Sequence, residues 1–414
     1  MKITDYPQAL AWLYDTQQHG IKLGMENIRR LLDALGWKSG AQKFLHVAGT
    51  NGKGSVCAMM DAILRAEGVR AGLFTSPHLV TFRERIRVDG EMISEDEARG
   101  GLAKIRDIVS GWETAPTFFE ITTALALDHF QSRRAGVAVL ETGMGGRLDA
   151  TNAVTPAACA ITPVGIDHAQ WLGDTLEKIA AEKAGIIKPG VPVVSAPQHP
   201  EVARVLREVA AGKNAPLHFI SGPLEGFALA LAGSHQKLNA ALAVETLRAA
   251  RIDTGEDAIR RGLGEVEWPG RFQQIEKSKI KNPVVLDGAH NESAAHRLAQ
   301  TWREVFGGER ATLILSVVQD KDVAAVCREL LPVAAGVVVT PTRSPRTSSA
   351  EALRAIVHAL APDLPCAAAC SVSAALELAS STPRRILVAG SLFLVGEALA
   401  VLNPGVVSCE PSAQ

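Results

Sequence analysis

Excess charge of either sign is missing from this sequence of 414 residues: 43 Lys and Arg stand against 44 Asp and Glu, a formal net charge of −1. That balance excludes a nucleic-acid binder working through a large positive field, and 47% apolar residues exclude a disordered chain. No apolar run reaches bilayer length without an interrupting Gly, Pro or charge. The opening Met1-Lys2-Ile3-Thr4-Asp5-Tyr6-Pro7 lacks the apolar core of a secretion signal, so a cytoplasmic protein is expected. Cysteines are few and scattered (Cys57, Cys159, Cys327, Cys366, Cys370, Cys409) and form no C-x-x-C pair, which argues for reduced thiols rather than disulfides or zinc. Internal repeats are absent, and the only biased stretch is the polar tail after Pro404.

What is present centres on one stretch. Phe44-Leu45-His46-Val47-Ala48 reads as a strand, Gly49-Thr50-Asn51-Gly52-Lys53-Gly54-Ser55 as a glycine-rich loop, and the apolar spacing of Val56, Met59, Met60, Ile63 and Leu64 as a helix. Such a loop turns backbone N–H groups inward as a nest for phosphate, reinforced by the positive end of the helix. Lys53 adds a cation and Ser55 a hydroxyl for Mg²⁺. The strict phosphate-loop pattern G-x-x-x-x-G-K-[ST] fails twice, because Val47 holds the first glycine position and Gly54 separates lysine from serine. A glycine-rich turn without a ligand is the competing reading.

Around this stretch, short apolar strands alternate with amphipathic helices, the mark of a doubly covered parallel sheet. Helices are expected over much of 1–40, over 94–109 with Ser94 and Glu97 as a capping box, and over 117–132. Strands are expected near 70–75, 136–140, 159–162, 192–194 and 217–220. The excursion Ser76-Pro77-His78-Leu79, returning through Arg83-Glu84-Arg85-Ile86, reads as a surface Ω-type loop beside the phosphate site. Pro and Gly in Glu267-Trp268-Pro269-Gly270-Arg271 mark a boundary, giving units 1–268 and 269–414. The second unit restarts the alternation as a smaller α/β domain, with a final helix expected near 397–402.

Ligands of parallel sheets bind at the carboxyl ends of strands, where the glycine loop, Glu141 and His168 all fall. Mg²⁺ takes about six oxygens and is held by few protein groups plus phosphates, which suits Ser55, Ser76, Glu141 and, as a softer donor, His168. Lys183, near a helix end, reads by pattern alone as a solvated lysine. Asp287, in Asp287-Gly288-Ala289-His290-Asn291, could accept from ribose hydroxyls or cap a helix, and Arg271 could reach phosphate or lie on the surface.

Several further segments carry a likeness: Gly20-Ile21-Lys22-Leu23-Gly24-Met25-Glu26-Asn27, Thr75-Ser76-Pro77-His78-Leu79, and Leu140-Glu141-Thr142-Gly143-Met144-Gly145-Gly146-Arg147-Leu148-Asp149-Ala150-Thr151-Asn152. To these are added Asp167-His168, Glu182-Lys183-Ala184-Gly185-Ile186-Ile187, Pro269-Gly270-Arg271, the Asp287 segment, Asp320-Lys321-Asp322 and Gly390-Ser391-Leu392. With the glycine loop they make nearly the whole chain resemble folylpolyglutamate synthases and bifunctional dihydrofolate synthase/folylpolyglutamate synthases, members of the Mur ligase superfamily. The loop's two departures from the strict pattern are shared with that family.

The resemblance implies an α/β fold with an N-terminal P-loop ATPase domain on a parallel-rich sheet and a smaller C-terminal Rossmann-like domain. It implies ATP phosphates on Asn51, Gly52, Lys53, Gly54 and Ser55, and nucleotide base, phosphate and ribose on Asn239, Arg271 and Asp287. It implies Mg²⁺, two ions, on Ser76, Glu141 and His168, with Lys183 carboxylated by CO₂ to a carbamate that helps hold one. Lys53, Glu141, His168 and Lys183 would carry catalysis. The pterin would lie near Ile21, Lys22, Leu23, Thr117, Phe118, Phe119, Glu120, Leu148, Asp149 and Ala150. The expected reaction is ATP-dependent ligation of L-glutamate to dihydropteroate or folates by a monomer, with no nucleic-acid or membrane partner. Leu148-Asp149-Ala150 after Gly-Gly-Arg favours the bifunctional form over a polyglutamate-only enzyme. The rivals are a cell-wall ligase acting on a UDP-sugar peptide and an ATP-binding regulator without ligase chemistry.

Overall fold

The computed structural model describes residues 3–19, 24–403 and 409–410. Two sheets organise it. The first contains β1 (Lys43–Ala48), β2 (Ala71–Phe74), β3 (Ile86–Val88), β4 (Glu91–Met92), β5 (Val137–Glu141), β6 (Ala158–Ile161), β7 (Val193–Ser195) and β8 (Leu217–Phe219), in the order β4-β3-β2-β5-β1-β6-β7-β8. Pairing is parallel from β2 to β8, and β3 and β4 add an antiparallel edge.

Burial on both faces explains the apolar runs of the central strands. In β5, Val137 and Val139 face one core while Ala138 and Leu140 face the other. The first core lies under helices Lys53–Ala66, Ser234–Ala249 and Glu256–Glu265. The second lies under helices Tyr6–Asp15, Glu26–Leu35, Glu95–Val109 and Phe118–Ser132. Ser94 and Glu97 close the expected capping box, and Cys57 is a fully buried core residue.

The second sheet contains β9 (Gln273–Ile275), β10 (Val284–Leu286), β11 (Ala311–Leu315), β12 (Ala334–Val339), β13 (Cys366–Ala368) and β14 (Ile386–Ala389), ordered β13-β12-β11-β14-β10-β9. Only β9 runs antiparallel. Its last helix is longer than expected, Leu392–Leu402, because Ser391, two residues after β14 ends at Ala389, already caps it.

One expectation fails. The excursion after β2 is not a surface loop: His78, Leu79, Phe82 and Arg85 are all buried. Its turn residues and charges look solvated in sequence, but the charges are consumed internally. Glu84 accepts hydrogen bonds from the N–H groups of Leu79, Val80 and Thr81 at 2.8, 2.8 and 2.9 Å. Arg85 donates to His78 Nδ1 at 2.8 Å and lies over the Phe118 ring. Leu79 belongs to the core of the second domain, beside Leu392 and Val395. Burial in a partner domain has no local sequence signature.

Candidate active site

The parallel register lines up four strand ends. Val47 of β1 pairs with Glu141 of β5, Phe74 of β2 with Leu140, and Ala48 with Ile161 of β6. The glycine loop, Ser76, Glu141 and the Asp167-His168 segment therefore leave one rim of the sheet together.

Gly49 and Gly52, at φ 147° and 93°, curl the loop in a way that L-residues resist. Helix Lys53–Ala66 then starts without a side-chain cap and without an acidic residue in its first turn. Its leading N–H groups and positive end are thereby left for an anion. The Lys53 ammonium donates to Thr50 O at 3.2 Å, folded over the loop. Gly52 and Gly54 lie directly against Asn239 and Trp268, where an added Cβ would come within 2.8 and 2.9 Å of their side chains. This cradle fits a nucleoside triphosphate.

Glu141 is 5% exposed and accepts a hydrogen bond from Ser76 N–H at 3.1 Å. Burial pushes its carboxyl up, while the charges of Lys53, Arg271 and Arg85 and the Ser76 bond pull it back. His168 takes a left-handed backbone (φ 51°) at the start of a one-turn helix. Burial lowers its pKa to about 4, with Lys321, Lys53 and Lys183 adding to the effect against Asp167, so the ring is neutral near pH 7. The Lys53 charge pulls the Glu141 carboxyl down and adds to the lowering at His168.

Lys183 differs from the solvated lysine its local pattern suggests. It is 5% exposed, and its Nζ donates to Gly49 O at 2.7 Å. Burial, then the nearby Lys53 charge, lowers its pKa to about 7 against the pull of Asp167 and Asp149, so much of the amine is neutral at physiological pH.

The oxygen donors Ser55, Ser76 and Glu141 suit a hard divalent cation, but among the described residues no three His, Cys, Asp or Glu side chains form a ready cage. A magnesium ion held by these residues would need phosphate oxygens to complete its shell, as is usual for nucleotide sites.

Other expected residues also make contacts within the fold. Thr117 and Glu120 cap each other at the start of helix Phe118–Ser132. Asp149 is buried, accepting from Met144 N, Thr151 N and Thr151 Oγ1. Phe118 packs against Tyr14 and Phe82, Ala150 is buried, and Leu148 and Phe119, the latter against Gly143, keep partial exposure. Asp287 accepts from Phe272 N and Ala289 N, both at 2.8 Å, with Arg271 close enough to steady its charge. Ile21, Lys22 and Leu23 lie outside the described residues.

Contacts from the second domain complete the rim. Asn51 and Asn291 exchange amide hydrogen bonds at 3.2 Å, and Asn291 also donates to Asp167 at 3.2 Å. Lys321 pairs with Asp167, their side chains 6% and 10% exposed. Burial alone would raise the Asp167 carboxyl, but His168 and the Lys321 ammonium hold it well below the usual range. Asp167, Asn291, Lys321 and Trp268 were not singled out for chemistry in the sequence. Each sat in or beside a recognisable segment, yet nothing local related them across the chain.

Comparison with known proteins decides what this rim belongs to. Residues 47–196 match the Mur ligase middle domain and 270–392 the Mur ligase glutamate ligase domain. The dihydrofolate synthase/folylpolyglutamate synthase of Bacillus subtilis is 35% identical over 84% of this chain and 88% of its own length. This chain belongs to the dihydrofolate synthase/folylpolyglutamate synthase family.

As a member, it is an ATP-dependent ligase of the Mur type. The structure of Escherichia coli FolC in complex with DHPP and ADP has a TM-score of 0.87 and 31% identity, covering 97% of this chain and 98% of that one. A Yersinia pestis bifunctional folylpolyglutamate synthase/dihydrofolate synthase complexed with AMPPNP and Mn ion gives 0.85 and 30%, with coverage of 97% and 98%. The family thus joins glutamate to folates with ATP and a divalent metal. Among the described residues, no helix is long and apolar enough to cross a membrane.

Proposed function

We propose that this chain ligates L-glutamate both to 7,8-dihydropteroate and to folate glutamates, through an acyl phosphate, releasing ADP and phosphate. The observation that carries the reading is the meeting of an uncapped helix start, Lys53, Glu141 and a buried, largely neutral Lys183 at one rim.

A carboxylate is a poor acyl donor, so the γ-phosphoryl of ATP is transferred to it. The loop N–H groups of Asn51 to Ser55 and the Lys53 ammonium spread the charge that develops on the phosphoryl oxygens. Asn239, Arg271 and Asp287 hold base, phosphate and ribose. Ser76, Glu141 and His168 would hold magnesium, two ions on this reading, which would neutralise charge on the phosphates. A neutral Lys183 amine would add to CO₂ with loss of one proton to solvent, and the carbamate oxygens would then be a further donor for the metal. The glutamate amine then attacks the acyl carbon, expelling phosphate. The Asn51–Asn291 and Asp167–Lys321 contacts hold units 1–268 and 269–414 together and keep water from the acyl phosphate.

The acid binds beside Phe119 and Leu148, with Thr117, Glu120 and Asp149 fixing the frame that presents them. Leu148-Asp149-Ala150 supports acceptance of dihydropteroate as well as folates. The active unit is a cytoplasmic monomer. The deciding assay is ADP release with 7,8-dihydropteroate and with tetrahydrofolate, each with L-glutamate. Turnover with both is expected. Turnover with tetrahydrofolate alone would make the enzyme a folylpolyglutamate synthase only, and turnover with neither would end the reading.

A further inference from the structure

The loop that carries Ser76 is gripped from outside by two residues far along the chain. Glu410 accepts hydrogen bonds from Phe82 N–H at 2.6 Å, from the Thr81 hydroxyl at 3.2 Å and from the Tyr6 hydroxyl at 3.3 Å. Its own N–H donates to Val80 O at 2.7 Å, and the Cys409 thiol donates to Leu79 O at 3.0 Å. Four consecutive loop residues, Leu79 to Phe82, are thus each engaged by this pair. The same turn lies against helix Leu392–Leu402, where an added Cβ on Gly396 would fall 2.1 Å from Leu79 O.

Glu84, inside the loop, already satisfies the N–H groups of Leu79, Val80 and Thr81. The N–H of Phe82, whose residue is fully buried, is served by Glu410. Without that carboxylate a buried donor loses a charged acceptor, which is costly in a way a surface contact is not. The loop in turn sets Ser76, whose N–H bonds Glu141. One carboxylate therefore joins helix Tyr6–Asp15, the Ser76 loop and the chain beyond helix Leu392–Leu402.

We infer that Glu410 is a positioning residue for the metal site: it clasps the Leu79–Phe82 turn to helix Tyr6–Asp15, while Cys409 beside it lies against Gly396 of helix Leu392–Leu402, and so it fixes where Ser76 meets Glu141. This rests on the proposal that Ser76 and Glu141 hold the magnesium of the ligase reaction. Glu410 touches no reacting atom; it acts through the turn.

The test uses the full chain with Glu410→Ala, Glu410→Gln and, leaving Glu410 in place, the double variant Tyr6→Phe/Thr81→Val. Amide hydrogen exchange across residues 79–85 is compared with that of β5 and helix Phe118–Ser132. In Glu410→Ala the turn is expected to exchange at least about tenfold faster, the scale of losing the buried Phe82 N–H bond alone, while β5 and the helix stay unchanged. The magnesium concentration for half-maximal turnover rises by about the same factor, with kcat at saturating magnesium falling no more than about twofold. Glu410→Gln restores most of both, and the double variant shifts them in the same direction by less. Unchanged exchange across 79–85 in Glu410→Ala and in the double variant overturns the clasp. Faster exchange with an unchanged magnesium requirement overturns its role at the metal site. Wild-type protein without turnover on any folate acid defeats the proposed reaction instead, and the exchange measurement still decides the clasp.

Discussion

Lys183 sits in Ala-Glu-Lys-Ala-Gly, five letters that describe a surface helix end, yet its amine is buried against the carbonyl of Gly49. What decides its chemistry is the glycine loop 134 residues earlier. Lys183→Ala is expected to lower turnover at least about a hundredfold, the scale of losing one preorganised electrostatic group, while ADP affinity measured by calorimetry stays close to wild type. Full retained turnover removes Lys183 from the mechanism. Protein handled gently under CO₂ should carry a species about 44 Da heavier, the mass of one CO₂ added to a neutral amine. His46 offers a different test. Its ring is fully buried, Nε2 meets Thr151 Oγ1 at 2.7 Å, and Nδ1 has no partner. Burial, aided by Lys188, lowers its pKa to about 3 from about 6.5. The unfolded chain thus binds this proton first as pH falls. The stability from a neutral His46 is complete above about pH 6.5 and is lost progressively toward pH 3. His46→Gln keeps a donor for Thr151 but removes the titration. Its urea midpoint should fall less steeply than wild type between pH 6.5 and 4, and parallel slopes would show that His46 is not a source of acid sensitivity.

Helices and central strands were legible wherever their burial is local to the element. Val137–Glu141 is apolar on both faces because both faces are covered, and Ser94 and Thr117 cap the helix starts expected there, whereas the start capped by Ser391 was missed. Four short strands at or next to sheet edges were not legible. β4 has two exposed residues, β13 is mostly exposed, and β3 and β9 are only three residues long and pair antiparallel, too short to show an alternation of their own. The helix that follows the glycine loop was legible, but its tight seating was not. Gly262 of helix Glu256–Glu265 lies so close to it that an added Cβ would be 2.6 Å from the backbone N and Cα of Ile63. Backbone cannot move aside as a side chain can, so Gly262→Ala should cost about 1–3 kcal/mol in urea unfolding. Gly264, two residues on, meets nothing within 4 Å. There Ala should be neutral or stabilise by up to about 1 kcal/mol through helix propensity. Equal effects at the two sites would mean the helices are less closely packed than the geometry requires.

At the scale of the molecule the functional rim is two half-sites, and the sequence displays only the first. The glycine loop, Glu141 and His168 could be grouped because strand ends of one parallel sheet share a side. The second half depends on pairs 240 and 154 residues apart, Asn51 with Asn291 and Asp167 with Lys321, for which neither spacing nor periodicity gives notice. Of these the ion pair is the stronger hold. Both side chains are nearly buried, so removing one partner leaves a charge stranded in a poorly solvated place, a loss of roughly 3–5 kcal/mol. That loss need not unfold either sheet, because opening the interface returns Asp167 to water. Lys321→Leu is therefore expected to shift the chain toward an open arrangement, seen as a larger radius of gyration in X-ray scattering, with little change in helix content. The KM for ATP should rise, because Asn291 is withdrawn from the loop along with Lys321. The double variant Asp167→Asn/Lys321→Leu carries no stranded charge and should recover much of the compactness, although it lacks the same contact. If Lys321→Leu scatters like wild type, the pair is not what holds the two sheets around the nucleotide, and closure must rest on the Asn51–Asn291 amides and the Leu79 plug.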